Sequence, residues 1–245
     1  MAFANPPSHC LLVSHGSRDP RSTLAFQTLV RDIQQFLPRT QIFSGVLELS
    51  DRTLHEQIIA IVEREACPTL TLLPLFLQPG THVLEDLPAE IAKAQAYLGS
   101  DRRAAYPIQA LPFLGATPAL LNILQTLCTP PQTWILLAHG SSRAATQTFF
   151  ADLHHTLGTH AAYWHHPPAL SNTVHTLVAA GSTQIGVLPY FLFPGKIPDT
   201  ILQTLQPLKD QYRHVEFSDR LLLSQQPGFA ALIAQLLCKI TELKS

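Results

Sequence analysis

Charge is scarce in this chain. Only 13% of its 245 residues are charged, and 16 basic residues against 17 acidic ones leave a net charge of −1 with histidine neutral. A basic stripe that would grip a phosphate backbone is excluded, so nucleic acid is not expected as a partner. No apolar run reaches 18 residues, so no membrane-spanning helix is expected. The four cysteines, Cys10, Cys67, Cys128 and Cys238, never fall in a C-x-x-C spacing. That speaks against a zinc ribbon or an iron–sulfur cluster. Scattered in apolar contexts, they read as free buried thiols, and a cytoplasmic location is expected. The stretch Met1 to Ser8 lacks a basic segment, so no export signal is expected. The patterns G-x-x-x-x-G-K-[ST], G-x-G-x-x-G and G-x-S-x-G are absent as well. Nucleotide use and a hydrolase serine are therefore unsupported.

What the chain does have is a repeat. Leu11-Leu12-Val13-Ser14-His15-Gly16-Ser17-Arg18 returns as Leu136-Leu137-Ala138-His139-Gly140-Ser141-Ser142-Arg143. Leu73-Pro74-Leu75-Phe76-Leu77-Gln78-Pro79-Gly80 returns as Leu188-Pro189-Tyr190-Phe191-Leu192-Phe193-Pro194-Gly195. Two copies of one unit are implied, 1–130 and 131–245, with Thr129-Pro130-Pro131-Gln132 as the link. A hydrophobic content of 46% suffices for a core in each.

Short apolar runs alternate with stretches of helical spacing. The first half reads as strand 10–14, helix 22–37, strand 41–47, helix 53–65, strand 69–75, helix 87–98, strand 106–111 and helix 118–127. The second reads as strand 133–138, helix 145–157, strand 161–165, helix 171–180, strand 184–190, helix 199–211, strand 214–217 and helix 227–241. Such alternation predicts an α/β fold, each half a parallel sheet flanked by helices. Ligands of these sheets sit at the carboxyl ends of the strands. Both His-Gly and both Pro-Gly motifs fall there, so topology brings His15 and His82 together.

The halves differ where chemistry would reside. Thr81-His82-Val83 follows the first Pro-Gly, but Lys196-Ile197-Pro198 follows the second. Glu48 ends the second strand, and its loop aligns with Ala169-Leu170-Ser171 in the other half. One working site in the first half and a degenerate one in the second are expected. Two imidazoles and a carboxylate make an open coordination set suited to Co, Ni, Fe or Zn in transit or in catalysis. Asp86 reads as the N-cap of the helix that follows it. His165 and His166 could guide metal or substrate, whereas His154 and His155 read as a solvated helix end.

These motifs resemble the sirohydrochlorin chelatases, in the long two-half CbiX/SirB form of the class II chelatases. The residues concerned are His15-Gly16-Ser17-Arg18, Glu48-Leu49-Ser50, the stretch from Leu73 through His82-Val83 to Asp86-Leu87-Pro88, and Leu188 to Gly195. The resemblance implies two α/β halves facing across a cleft. It also implies insertion of Co²⁺ or Fe²⁺ into sirohydrochlorin without ATP, for cobalamin or sirohaem. His15 and His82 take the positions of the catalytic histidines, and Glu48 that of a metal-binding acid. Ser14, Ser17, Arg18, Arg21, Gly80, Thr81, His139 and Arg143 are candidate substrate contacts, the arginines as donors to the ring's carboxylates. The metal is a substrate, and no permanent cofactor is expected. A monomer is expected, since one chain supplies both halves. A metal or tetrapyrrole carrier would use the same ligands without turnover. A histidine phosphatase fits poorly, because Ser14 stands where that family has a phosphate-binding arginine.

Overall fold

The computed structural model describes residues 7–99 and 106–242; the first six residues of the N-terminal stretch read above lie outside them. Two four-stranded sheets form, all strands parallel. The first has the order β2-β1-β3-β4, with β1 His9–Ser14, β2 Gln41–Val46, β3 Leu70–Pro74 and β4 Ile108–Ala110. The second repeats it as β6-β5-β7-β8, with β5 Thr133–Ala138, β6 His160–Tyr163, β7 Gln184–Pro189 and β8 Glu216–Asp219. The helices are α1 Pro20–Phe36, α2 Leu54–Glu65, α3 Leu87–Leu98, α4 Pro118–Leu127, α5 Ala144–Leu157, α6 Leu170–Ala179, α7 Lys196–Gln211 and α8 Phe229–Glu242.

The unbroken apolar runs are the central strands, buried on both faces as parallel strands require. Leu11 and Val13 of β1 join Leu70 and Leu72 of β3 in a core with α2 and α3. Cys10, Leu12 and Leu73 point the other way and are equally buried. The second half builds the same core from Ile135, Leu137, Ile185 and Val187 against α6 and α7. Helix α1 begins two residues earlier than the periodicity suggests. Asp19 caps it by accepting from the Arg21 amide at 3.0 Å, and Pro20 follows in the first turn.

Compact units do not coincide with the repeats. One comprises Met1–Ala119 and Pro227–Ser245, the other Leu120–Gln226. Helix α8 thus packs on α1 of the first unit, while α4 belongs with the second sheet. Arg220, stacked 4.9 Å over the Trp134 ring, donates from Nη2 to the Leu127 carbonyl at 3.1 Å. That contact holds the end of α4 to the second sheet. The division at residue 130 marks the sequence repeat, and the repeats exchange their last helices.

In each sheet the chain runs outward from the first strand to one edge, then returns to the other side. The strand order therefore switches between β1 and β3, and again between β5 and β7. A crevice opens at such a switch. His15 follows β1, and the loop after β3 leads to His82.

Candidate metal centre

The site is built by backbone before side chains enter. Gly16 turns the chain with φ +99, and a Cβ there would lie 2.1 Å from the Glu48 carbonyl oxygen. Only glycine lets the two loops close so tightly. The amides of Leu47 and Glu48 donate to the carbonyls of Ser14 and His15, each at 2.9 Å. The pairing thus continues past the strand ends and sets Glu48 beside His15. Leu49, next in line, takes a left-handed φ of 58, uncommon for a leucine.

His82 opens a π-helical turn, His82–Asp86, that runs into α3. The Leu87 amide donates to the His82 carbonyl, five residues back. Such turns widen the helix and are frequent at functional sites. Here the turn brings Asp86 under His82, whose Nδ1 donates to Asp86 Oδ2 at 2.8 Å. Asp86 makes no capping bond to the backbone and has helical dihedrals. The N-cap expectation is therefore corrected: its carboxylate orients a histidine. The His-x-x-x-Asp spacing was the available signal, since a helix sets residues four apart on one face.

His15 Nδ1 donates to the Gly16 carbonyl at 3.3 Å, and its ring meets Phe76 edge-on. With both Nδ1 atoms engaged, the Nε2 atoms of His15 and His82 face each other 3.1 Å apart. At that distance the two nitrogens either share one ring's N–H as a hydrogen bond or hold a metal ion between them. An ion about 2.1 Å from both nitrogens would subtend roughly 95°, suiting cis ligands. Glu48 lies 3.8 Å from His15 Nε2 and 3.7 Å from His82 Nδ1. Among the described residues, His15, Glu48 and His82 are the one trio of such side chains whose ligand atoms all fall within 4.8 Å. Their side chains remain 46%, 48% and 35% exposed. An open set of this kind can receive and release an ion, unlike a closed structural site.

The family model for CbiX matches residues 9–129 and again 133–240. The chain belongs to the CbiX family. The double match is the internal repeat seen from outside. No match was found among curated protein sequences. Solved CbiX-type structures share the fold. SirB from Bacillus subtilis with Fe3+ superposes with a TM-score of 0.74 at 16% identity, over 96% of this chain and 97% of that one. The sirohydrochlorin chelatase SirB from Bacillus subtilis subspecies spizizenii in complex with cobalt gives 0.71 at 17%, with the same coverage. CbiX, the terminal enzyme for biosynthesis of siroheme in denitrifying bacteria, gives 0.61 at 18%, over 93% and 96%.

The other expected site residues of this CbiX-family chain have contacts of their own. Ser14 is buried at the end of β1. Ser17 Oγ accepts from the Asp19 amide at 3.1 Å, shaping the loop. Arg21 forks onto Asp19 at 3.0 and 2.6 Å, so its guanidinium is already engaged. Arg18 and Thr81 are exposed near the histidines in sequence. The Gly80 carbonyl receives the amides of Val83 and Leu84. His139 and Arg143 lie in the second unit, where the Arg143 amide donates to Ser141 Oγ at 3.2 Å.

Two further expectations change. The second-half counterpart of Glu48 is His165, because its amide donates to the His139 carbonyl at 3.0 Å as Glu48's does to His15. Ala169 is only the residue preceding α6. His154 is no solvated helix end. It is half-buried between Thr159 Oγ1 at 3.0 Å and the Tyr163 hydroxyl at 3.3 Å. Burial, helped by the nearby charge of His160, pushes its pKa down to about 4.

Proposed function

We propose that the chain inserts Co²⁺ or Fe²⁺ into sirohydrochlorin without ATP. The single observation that carries this is the facing Nε2 pair of His15 and His82, with Glu48 alongside. Family membership supports it, as do the cobalt and iron named for the Bacillus subtilis relatives.

Metallation exchanges one dication for two pyrrole protons. The histidine pair suits both sides of that exchange. It presents the ion on two neutral nitrogens, and each nitrogen becomes a proton acceptor once the ring takes the metal. Glu48 and Asp86 supply negative charge that favours a dication over an empty pair. Side-chain exposure lets the accepted protons pass to solvent. Leu49 and Leu84 are 52% and 50% exposed beside Glu48 and His82, and they offer apolar contact to a planar macrocycle. Arg18, Arg21 and Arg143 are the proposed donors to the ring's carboxylates, Arg21 from a guanidinium that also forks onto Asp19. Ser14, Ser17, Gly80, Thr81 and His139 complete the proposed contacts. The chain acts as a cytoplasmic monomer in this reading, consistent with four cysteines that form no disulfide and with its paired repeats.

The test is a visible-absorption time course with sirohydrochlorin in excess over protein, under anaerobic conditions, with each metal separately. Multiple turnovers above the protein-free rate are expected. A spectral change that stops at one equivalent would show a carrier instead.

A further inference from the structure

The second half is degenerate at Ile197 but keeps two imidazoles. His139 follows β5 as His15 follows β1. Its Nδ1 donates to the Gly140 carbonyl at 3.1 Å, the same bond that His15 makes to Gly16 at 3.3 Å. Gly140 shares the left-handed turn with φ +81. The amide of His165 pairs with His139 as that of Glu48 pairs with His15. Backbone geometry thus places an imidazole at the strand end where the first half has a carboxylate. The rings of His139 and His165 have centres 4.7 Å apart, inclined at 57°.

We infer that His139 and His165 form a second divalent-metal site, independent of His15 and His82. An ion about 2.1 Å from an imidazole nitrogen lies roughly 3.2 Å from the ring centre. Two imidazoles cis on one ion therefore have centres about 4.5 Å apart at 90° and about 5.2 Å apart at the tetrahedral angle. The observed separation falls between those values. Nε2 of His139 is the nitrogen left to bind, since Nδ1 is engaged. Two neutral nitrogen ligands select Co²⁺, Ni²⁺, Cu²⁺ or Zn²⁺ over Mg²⁺ or Ca²⁺. Water or a ligand's own donors fill the remaining positions. With two ligands and no adjoining carboxylate among the described residues, the site is weaker than the first and releases its ion readily.

The experiment uses the full chain carrying His15→Ala/His82→Ala, titrated with Ni²⁺ by calorimetry and followed through imidazole proton resonances. One weak equivalent is expected, and the signals of His139 and His165 should broaden first. Adding His165→Ala should weaken that binding by roughly tenfold or more. His165→Glu, which restores the first half's ligand type, should retain it. His165 is exposed, so neither change strains the core. Binding that ignores His165→Ala, or broadening that begins at other histidines, would overturn the inference. Magnesium in excess should not compete, and competition would overturn it too.

Discussion

His82 donates its Nδ1 proton to Asp86 at 2.8 Å within a single π-helical turn. That bond fixes which nitrogen of His82 faces His15. A carboxylate behind an imidazole holds the tautomer and the ring's orientation. Asp86→Asn should therefore leave the circular dichroism spectrum unchanged while lowering Co²⁺ affinity and metallation rate by about 10–100-fold. Unchanged affinity in a folded variant would show that Asp86 does not orient the ring.

Gly16 joins the backbone to the site. Gly16→Ala would drive a Cβ to within 2.1 Å of the Glu48 carbonyl at a φ of +99. The two loops must separate, carrying Glu48 away from His15. A stability loss of about 1–3 kcal/mol is expected, with weaker metal binding beside it. Urea unfolding and a Co²⁺ titration check the two effects separately. Native stability with native affinity would contradict the close-approach argument.

Glu90 ties α2 to α3, the helix that continues from the π turn. Its Oε2 accepts from the His55 amide at 3.0 Å and from His55 Nδ1 at 2.7 Å, and its Oε1 accepts from Lys93 at 2.7 Å. Partial burial acts to raise its pKa. Hydrogen bonds from Lys93 and His55 outweigh that and hold it at about 2, below the ordinary value of 4.5. A depressed carboxyl stabilises the fold above its unfolded pKa, and that contribution is lost as the pH falls through about 2. Glu90→Gln should lower the thermal midpoint at pH 7, with the gap to the parent closing between pH 4.5 and 2. A gap that does not change with pH would contradict the assignment.

Much of this was readable from residues alone. Unalternating runs such as Leu11-Leu12-Val13 marked the buried strands, and β-α alternation marked the parallel sheets. The strand-end rule then brought His15 and His82 together. What escaped reading has physical causes. An Asp two residues before Pro88 looks like a helix cap, because helical periodicity does not announce a π turn. The pairing of His165 with His139 is set by the strand ladder, and linear alignment across a loop of different length slid it to Ala169. Local periodicity says where α4 and α8 lie, but not which sheet each covers. His154 carries no burial signal in its neighbours, since Tyr163 reaches it only through the fold.

The central claim is that the facing nitrogens of His15 and His82 carry metal into the macrocycle. Its most direct test is the initial rate of Co²⁺ insertion into sirohydrochlorin by His15→Ala/His82→Ala beside the parent. A folded double variant should lose at least about a hundredfold in rate. The parent rate in that variant would contradict the account.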